Sequence, residues 1–187
     1  MFKTICVTNR NICQGDFLER IEAIGKEKPD ALILREKDLS EAEYEVLAQS
    51  VLAICRKRRL PCILHNFPNV AKKLKHPDIH LPIPGLRKLP DKEKNFFKVL
   101  GASCHSVEEA MEAEKLGCTY ITAGHIFETD CKKGLPGKGI EFLKEVCQSV
   151  TIPVYAIGGI GPANLDIVRE AGAAGACMMS GFMKNGR

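Results

Sequence analysis

Short apolar runs alternate along the chain with longer segments in which apolar residues recur every three or four positions. Eight of the short runs are typical of buried strands: TICVTN (4–9), ALILRE (31–36), CILHN (62–66), DIHL (78–81), KVLGASC (98–104), YITAGHI (120–126), IPVYAIGGI (152–160) and GACMMSGF (175–182). Capping-box patterns at Asp16, Ser40 and Ser106, and a proline after Gly161, predict helix starts between them. This strand–helix repeat predicts a parallel sheet, because each crossover returns the chain to the same edge.

Eight such units are enough to close a sheet into a compact (β/α)8 TIM barrel, here a single domain over residues 1–187. An open doubly wound sheet is the alternative, because a barrel usually needs ~250 residues. The compact units and the apolar-poor segment after DIHL favour the barrel. The sequence stops at MKNGR directly after the eighth strand, which predicts that the eighth helix is missing or truncated. The alternative is that a partner, for example the second copy in a homodimer, covers the flank of the barrel that the eighth helix would cover.

Composition argues against several classes of function. The net charge is +4, from 27 basic and 23 acidic residues, which is too small to indicate a nucleic-acid partner. The RKRR cluster (56–59) closes a helical pattern, where cations suit the helix dipole. Nine cysteines without a C-x-x-C pair indicate neither a disulfide framework nor a zinc site. With no signal-peptide core and no ~20-residue apolar run, we expect a cytoplasmic protein without a membrane partner.

Functional sites in a barrel lie at the carboxyl ends of the strands. In the second strand Leu32 and Leu34 suit the helix layer, so Arg35 and Lys37 should point to the barrel mouth. An anionic ligand would supply the partner that buried cations need. An ion pair with a nearby carboxylate, Glu36 or Asp38, is the alternative.

Two glycine-containing pairs end the seventh and eighth strands, Gly158-Gly159 and Ser180-Gly181. Paired glycines let backbone N–H groups approach an anion, and a serine adds a hydroxyl donor. Phosphate sites of barrels commonly use the loops after these two strands. The sequence therefore predicts a phosphate site here, with plain turn chemistry as the alternative.

His125 follows Ile121 and Ala123 on what alternation predicts to be one face of the sixth strand, and we expect it to reach the cavity. An imidazole can take and return a proton near neutral pH. A core histidine satisfied by a backbone carbonyl is the alternative, and the spacing does not favour metal binding. Cys131 lies in a lysine-rich loop and is interpreted as a passive thiol.

From about Ala31 to Phe182 the chain resembles the thiamine phosphate synthase/TenI superfamily. The shared motifs are LREKDLS, GASCHSVEEAMEAEKLG, IPVYAIGGIGP and MSGF, and GHIFETDCKKG (124–134) is similar to TenI-type thiazole tautomerases rather than to the synthases. Synthases hold magnesium with two acids. Phe67 stands where the first acid would follow the asparagine of strand three, and Pro82-Ile83-Pro84-Gly85 replaces the loop that carries the second. Neither phenylalanine nor glycine offers a carboxylate to a hard cation.

The resemblance implies an isomerase of thiamine biosynthesis that needs no metal or cofactor. Its substrate would be a carboxythiazoline phosphate, and its product the aromatic carboxythiazole phosphate. His125 would carry the proton, Arg35 or Lys132 would face the carboxylate, and the resemblance further implies that Lys37 and Ser103 bind substrate. Gly158, Gly159, Ser180 and Gly181 would hold the phosphate. A synthase-like transferase and a non-catalytic regulatory phosphate-binding protein are the alternatives.

Overall fold

The computed structural model describes residues 1–129 and 134–184. Eight parallel strands form a closed barrel in the order in which they occur in the chain. They are β1 (Lys3–Val7), β2 (Ala31–Leu34), β3 (Cys62–His65), β4 (Asp78–Pro82), β5 (Val99–Cys104), β6 (Tyr120–Gly124), β7 (Val154–Ile157) and β8 (Gly175–Met178). The pairing of β1 with β8 closes the sheet, so the prediction of a (β/α)8 barrel is confirmed and the open sheet is excluded.

Helices surround the barrel between the strands. Their bounds are α1 (Phe17–Glu27), α2 (Glu41–Arg58), α3 (Pro68–Lys73), α4 (Ile83–Lys88), α5 (Asp91–Lys94), α6 (Val107–Lys115), α7 (Gly139–Ser149), α8 (Leu165–Glu170) and α9 (Ser180–Met183). Two short helices, α4 and α5, replace one full crossover helix after β4, where the sequence is poor in apolar residues. After β8 the described residues form the four-residue α9.

Strand alternation separates two apolar layers. Leu32 and Leu34 belong to the large cluster that packs under the helices, whereas Ile33 joins a smaller cluster inside the barrel with Ile63 and Cys177. Because successive side chains point to opposite faces, every strand except β4, whose inner residue is His80, supplies residues to both clusters. The inner face then continues upward into the polar residues at the mouth of the barrel.

The predicted helix starts were largely correct. Ser40 makes a complete capping box, in which its hydroxyl accepts from the Glu43 N–H and the Glu43 carboxylate accepts from the Ser40 N–H. At Ser106 the box is wrong in one half, because the Glu109 carboxylate accepts from the N–H of His105, one residue before the cap. In the described part of the chain, no helix has the length and apolar character that a bilayer crossing requires.

Candidate functional site

A cavity of about 1510 Å³ opens at the carboxyl ends of the strands. Every strand contributes residues to its wall, either from its own last positions or from the loop that follows. Its lining combines apolar residues such as Val7, Ile33 and Cys177 with polar side chains, several of them from the loops that follow the strands. An apolar cavity with a few convergent polar groups is the usual form of a small-molecule site.

Arg35 and Lys37 line this cavity, on the face that the leucines of β2 leave to the barrel interior. Between them, Glu36 turns away and is only 2% exposed. Its carboxylate accepts the Thr8 hydroxyl at 2.7 Å and the Arg10 N–H at 3.0 Å. Asp38 also accepts from Arg10, through two guanidinium nitrogens at 2.6 and 2.7 Å, and its pKa is lowered to about 2 mainly by this bond. Glu36 and Asp38, the carboxylates on either side of Lys37 in the sequence, thus both bind Arg10.

Gly158 and Gly159 line the opposite side of the mouth with left-handed φ values of 103° and 65°. Ser180, the first residue of α9, completes this rim. Gly181 is the exception, since it lies in α9 and is not among the described residues that line the cavity. Three of the four predicted phosphate residues are therefore brought together, and their role as phosphate ligands stays a prediction.

His125 lines the cavity, but the pattern used to predict this was wrong. Ile121 and Ala123 are fully buried in the helix-facing layer, and the inner face of β6 carries Tyr120 and Thr122. Because β6 ends at Gly124, strand alternation does not extend to His125. Its Nε2 lies 3.3 Å from the Leu135 carbonyl oxygen, and its buried Nδ1 has no hydrogen-bond partner among the described residues.

Three further histidines line the cavity, and we did not predict them from strand alternation. His65 and His80 have rings 5.9 Å apart inside the barrel, and burial lowers the pKa of both. His105 Nδ1 lies 2.7 Å from the carbonyl oxygen of Gly124, directly before His125. The signal for His80 was present in the sequence, because Ile79 and Leu81 occupy the outer face and leave the histidine inside.

Ser103 lies next to His80, with its hydroxyl oxygen 2.7 Å from His80 Nε2. Like His80, it lines the cavity, so this predicted substrate residue is at the site. Lys132, predicted to face a carboxylate, and Cys131 lie outside the described residues.

The residues at the magnesium positions of synthases do not fit a divalent cation. Phe67 caps α3 and packs its ring against that of Tyr44, 4.7 Å between centroids. Gly85 lies within α4. Over residues 1–129 and 134–184, no three histidine, cysteine or acidic side chains are grouped as a metal site requires. Neither Phe67 nor Gly85 offers a carboxylate to a magnesium-bound pyrophosphate.

Comparison with known proteins agrees with the resemblance seen in the motifs. The family described as thiamine monophosphate synthase matches residues 4–182. The chain is 34% identical to a thiamine-phosphate synthase of Syntrophomonas wolfei, over 95% of this chain and 86% of the relative. It is also 34% identical to a putative thiamine-phosphate synthase 2 of Aquifex aeolicus, over 95% of this chain and 96% of the relative.

Among solved structures, thiamine phosphate pyrophosphorylase from Pyrococcus furiosus superposes with a TM-score of 0.83 and 26% identity, covering 98% of this chain and 88% of that one. The barrel, the cavity at its carboxyl end and the sequence match thus agree over nearly the whole chain. The protein belongs to the thiamine monophosphate synthase family, the superfamily that includes TenI.

Proposed function

We propose that this protein is a thiazole tautomerase of thiamine biosynthesis, which converts a carboxythiazoline phosphate into the aromatic carboxythiazole phosphate. The state of His125 is the observation that carries the proposal. A carbonyl oxygen can only accept, so the contact with Leu135 assigns the proton of the neutral ring to Nε2. Nδ1 then has a lone pair and no partner among the described residues. This unpaired nitrogen is buried, so it would reach a substrate only after the imidazole ring turns towards the cavity, as catalytic groups of ligand-free enzymes often must.

The charges around the cavity suit a substrate with two anionic ends. Arg35 and Lys37 are on the β2 side, while Gly158, Gly159 and Ser180 form the rim after β7 and β8. The carboxylate would face the cations and the phosphate would face the glycine rim. His125 would lie against the phosphate rim, because it packs directly on Gly158.

The reaction moves one proton between two carbon atoms. Once its ring faces the cavity, the His125 imidazole takes the proton from the ring carbon that bears the carboxylate, and the electrons of that C–H bond enter the ring. The ring double bonds shift, and the exocyclic carbon takes the same proton back from the imidazolium. No atom or electron is gained or lost, and formation of the aromatic ring drives the step. A histidine is suited to both halves because it changes charge near neutral pH.

A synthase-like transferase is the second candidate, and the names of the relatives favour it. Such an enzyme would join the thiazole phosphate to a pyrimidine pyrophosphate with the help of magnesium. Phe67 and Gly85 stand against this candidate, because neither can replace a carboxylate. We therefore place the tautomerase first.

Two parallel assays separate the candidates. The purified protein is first given the carboxythiazoline phosphate, and the aromatic product is measured after subtracting spontaneous aromatisation. It is then given the carboxythiazole phosphate and the pyrimidine pyrophosphate with magnesium, and thiamine phosphate is measured. We expect turnover in the first assay alone. Turnover in the second alone would establish the transferase, and product binding without turnover in either would favour a regulatory protein.

A further inference from the structure

Three side chains from three strands form a hydrogen-bonded chain inside the barrel. The Tyr120 hydroxyl lies 2.9 Å from His80 Nδ1, and His80 Nε2 lies 2.7 Å from the Ser103 hydroxyl. Tyr120 is 5% exposed and His80 is 2% exposed, so both bonds to the ring are shielded from water. Ser103 is less buried and lines the cavity, at the upper end of the chain.

The fold makes room for this chain with a glycine. His80 pairs with Gly101 in the register of β4 and β5, and Gly101 pairs with Tyr120 in that of β5 and β6. The three residues therefore form one row across the barrel. A Cβ at Gly101 would overlap the outer atoms of the Tyr120 ring. Only a residue without a side chain lets tyrosine reach across the middle strand to histidine.

The chain of bonds has one favoured direction. Among the described residues, His80 is the only hydrogen-bond partner of the Tyr120 hydroxyl. If Nδ1 donated to this hydroxyl, the buried tyrosine proton would have no acceptor, which is costly. When Tyr120 donates to Nδ1, the neutral ring must carry its proton on Nε2 and donate to the Ser103 oxygen. The Ser103 O–H is then free to donate into the cavity.

The surroundings keep the histidine in this neutral state. Burial, with smaller contributions from the charges of Arg35 and Lys37, lowers the pKa of His80 to about 3. Burial also raises the pKa of Tyr120, so its hydroxyl keeps its proton. Arg35, Lys37, His80 and Ser103 all line the same cavity.

Taking the tautomerase function as the basis, we propose that Tyr120 and His80 are positioning residues that turn the Ser103 hydroxyl into a hydrogen-bond donor for the carboxylate of the substrate. The serine would complete the carboxylate site with Arg35 and Lys37. Tyr120 and His80 would act through Ser103 and would not themselves touch the substrate.

The direction of the hydrogen bonds from Tyr120 through His80 to Ser103 is tested by NMR of the free protein with ¹⁵N-labelled histidine. The His80 signals are assigned by their loss in His80→Gln. We expect His80 to be protonated on Nε2 and unprotonated on Nδ1, and Tyr120→Phe to change this state. Tyr155→Phe is the matched control, because it removes a neighbouring hydroxyl that makes no hydrogen bond to a described residue. A wild-type His80 protonated on Nδ1, or one unchanged by Tyr120→Phe, would overturn the inference.

The role of the chain is tested by a double-mutant cycle on ligand binding. Ser103→Ala should weaken binding of the carboxythiazole phosphate roughly 10- to 100-fold, the loss expected for a hydrogen bond to a charged group. For the analogue without the carboxylate, Ser103→Ala should weaken binding by less than about threefold, because the hydrogen bond to the charged group is missing. Tyr120→Phe should weaken binding of the carboxylated ligand when it is introduced into the wild type. It should have no effect when it is introduced into Ser103→Ala, because Tyr120 acts through the serine.

Additive losses in the cycle, or equal losses for the two ligands, would refute the role of Ser103 while leaving the tautomerase assay intact. A wild type that neither turns over the substrate nor binds the product would refute the tautomerase function and the carboxylate role together. The histidine spectrum would then still decide whether the chain has the proposed direction.

Discussion

Gly158 packs directly on His125, so that a Cβ at position 158 would overlap the Cα and Cβ atoms of the histidine. The glycine has a φ of 103°, a backbone conformation that other residues rarely adopt. One residue of the predicted phosphate rim thus also sets the place of the predicted proton carrier. Substitutions on this rim should divide into those that move His125 and those that do not.

Gly158→Ala should lower kcat together with the affinity for the phosphorylated ligand, because the new methyl group displaces His125 and strains the turn. We also expect the melting temperature to fall, since the positive φ costs an alanine about 1 kcal/mol or more. Steady-state kinetics and thermal unfolding measure the two effects. Wild-type kcat in a folded Gly158→Ala protein would show that the histidine position is not critical.

Gly181→Val should leave phosphate binding and thermal stability close to wild type, because Gly181 is not among the described residues that line the cavity. A Cβ at this position meets nothing closer than Met178 at 4.0 Å, so the larger side chain extends into open space. Calorimetry with the carboxythiazole phosphate and with its dephosphorylated form measures the effect. Unchanged binding of both ligands is the expected result. A loss of affinity for the phosphorylated ligand alone would place Gly181 at the phosphate, as the sequence motif predicted.

His125→Gln should lower kcat by ~10²–10⁴-fold, the usual contribution of a general acid–base group. Glutamine keeps a polar side chain but cannot titrate, so binding of the product should survive. His76→Gln is the matched control, because His76 is also bonded to a carbonyl oxygen, that of Cys62, but does not line the cavity. If His125 were only structural, both variants would lose thermal stability and keep wild-type turnover.

Tautomerisation should proceed at an unchanged rate in EDTA. The physical reason is the chemistry at positions 67 and 85, where phenylalanine and glycine offer no ligand to magnesium. The assay is run with chelator and again after adding magnesium back. A strict magnesium requirement would reopen the transferase and would mean that other residues bind the metal.

The free energy of unfolding should fall as the pH drops below 6.5. His80 stays neutral in the folded protein down to about pH 3, while the unfolded chain binds its proton near pH 6.5. In that window the unfolded state holds more protons, which costs the folded state about 1.4 kcal/mol per pH unit. His65, whose pKa is also lowered, adds in the same direction. The free energy of unfolding, measured with urea at several pH values between 5 and 7, should change less steeply with pH for His80→Gln than for wild type.

Much of the barrel could be predicted from alternation along single strands. Leu32 and Leu34 face the helices as expected, and Arg35 and Lys37 line the cavity although they lie just beyond the end of β2 at Leu34. The same rule failed at His125, because alternation has no meaning after the strand ends at Gly124. A two-residue period predicts faces within a strand and says nothing of the loop that follows.

Contacts between strands were harder to predict. The bond between His80 and Tyr120 depends on the relative register of β4, β5 and β6, which the sequence of one strand does not contain. The wrong half of the capping-box prediction at Ser106 has a similar cause, because the Glu109 carboxylate accepts from the N–H of His105 rather than from that of Ser106. Such choices are decided by the packed structure rather than by local pattern.

Thr8, which is fully buried and does not line the cavity, joins the ends of β1 and β2. Its hydroxyl oxygen accepts the Arg35 N–H at 2.9 Å while its proton is donated to Glu36. The backbone that carries the cavity cation is therefore anchored before any ligand arrives. Binding then requires less reorganisation, so the affinity for an anion should depend on the stiffness of a neighbouring strand as well as on the charge of Arg35.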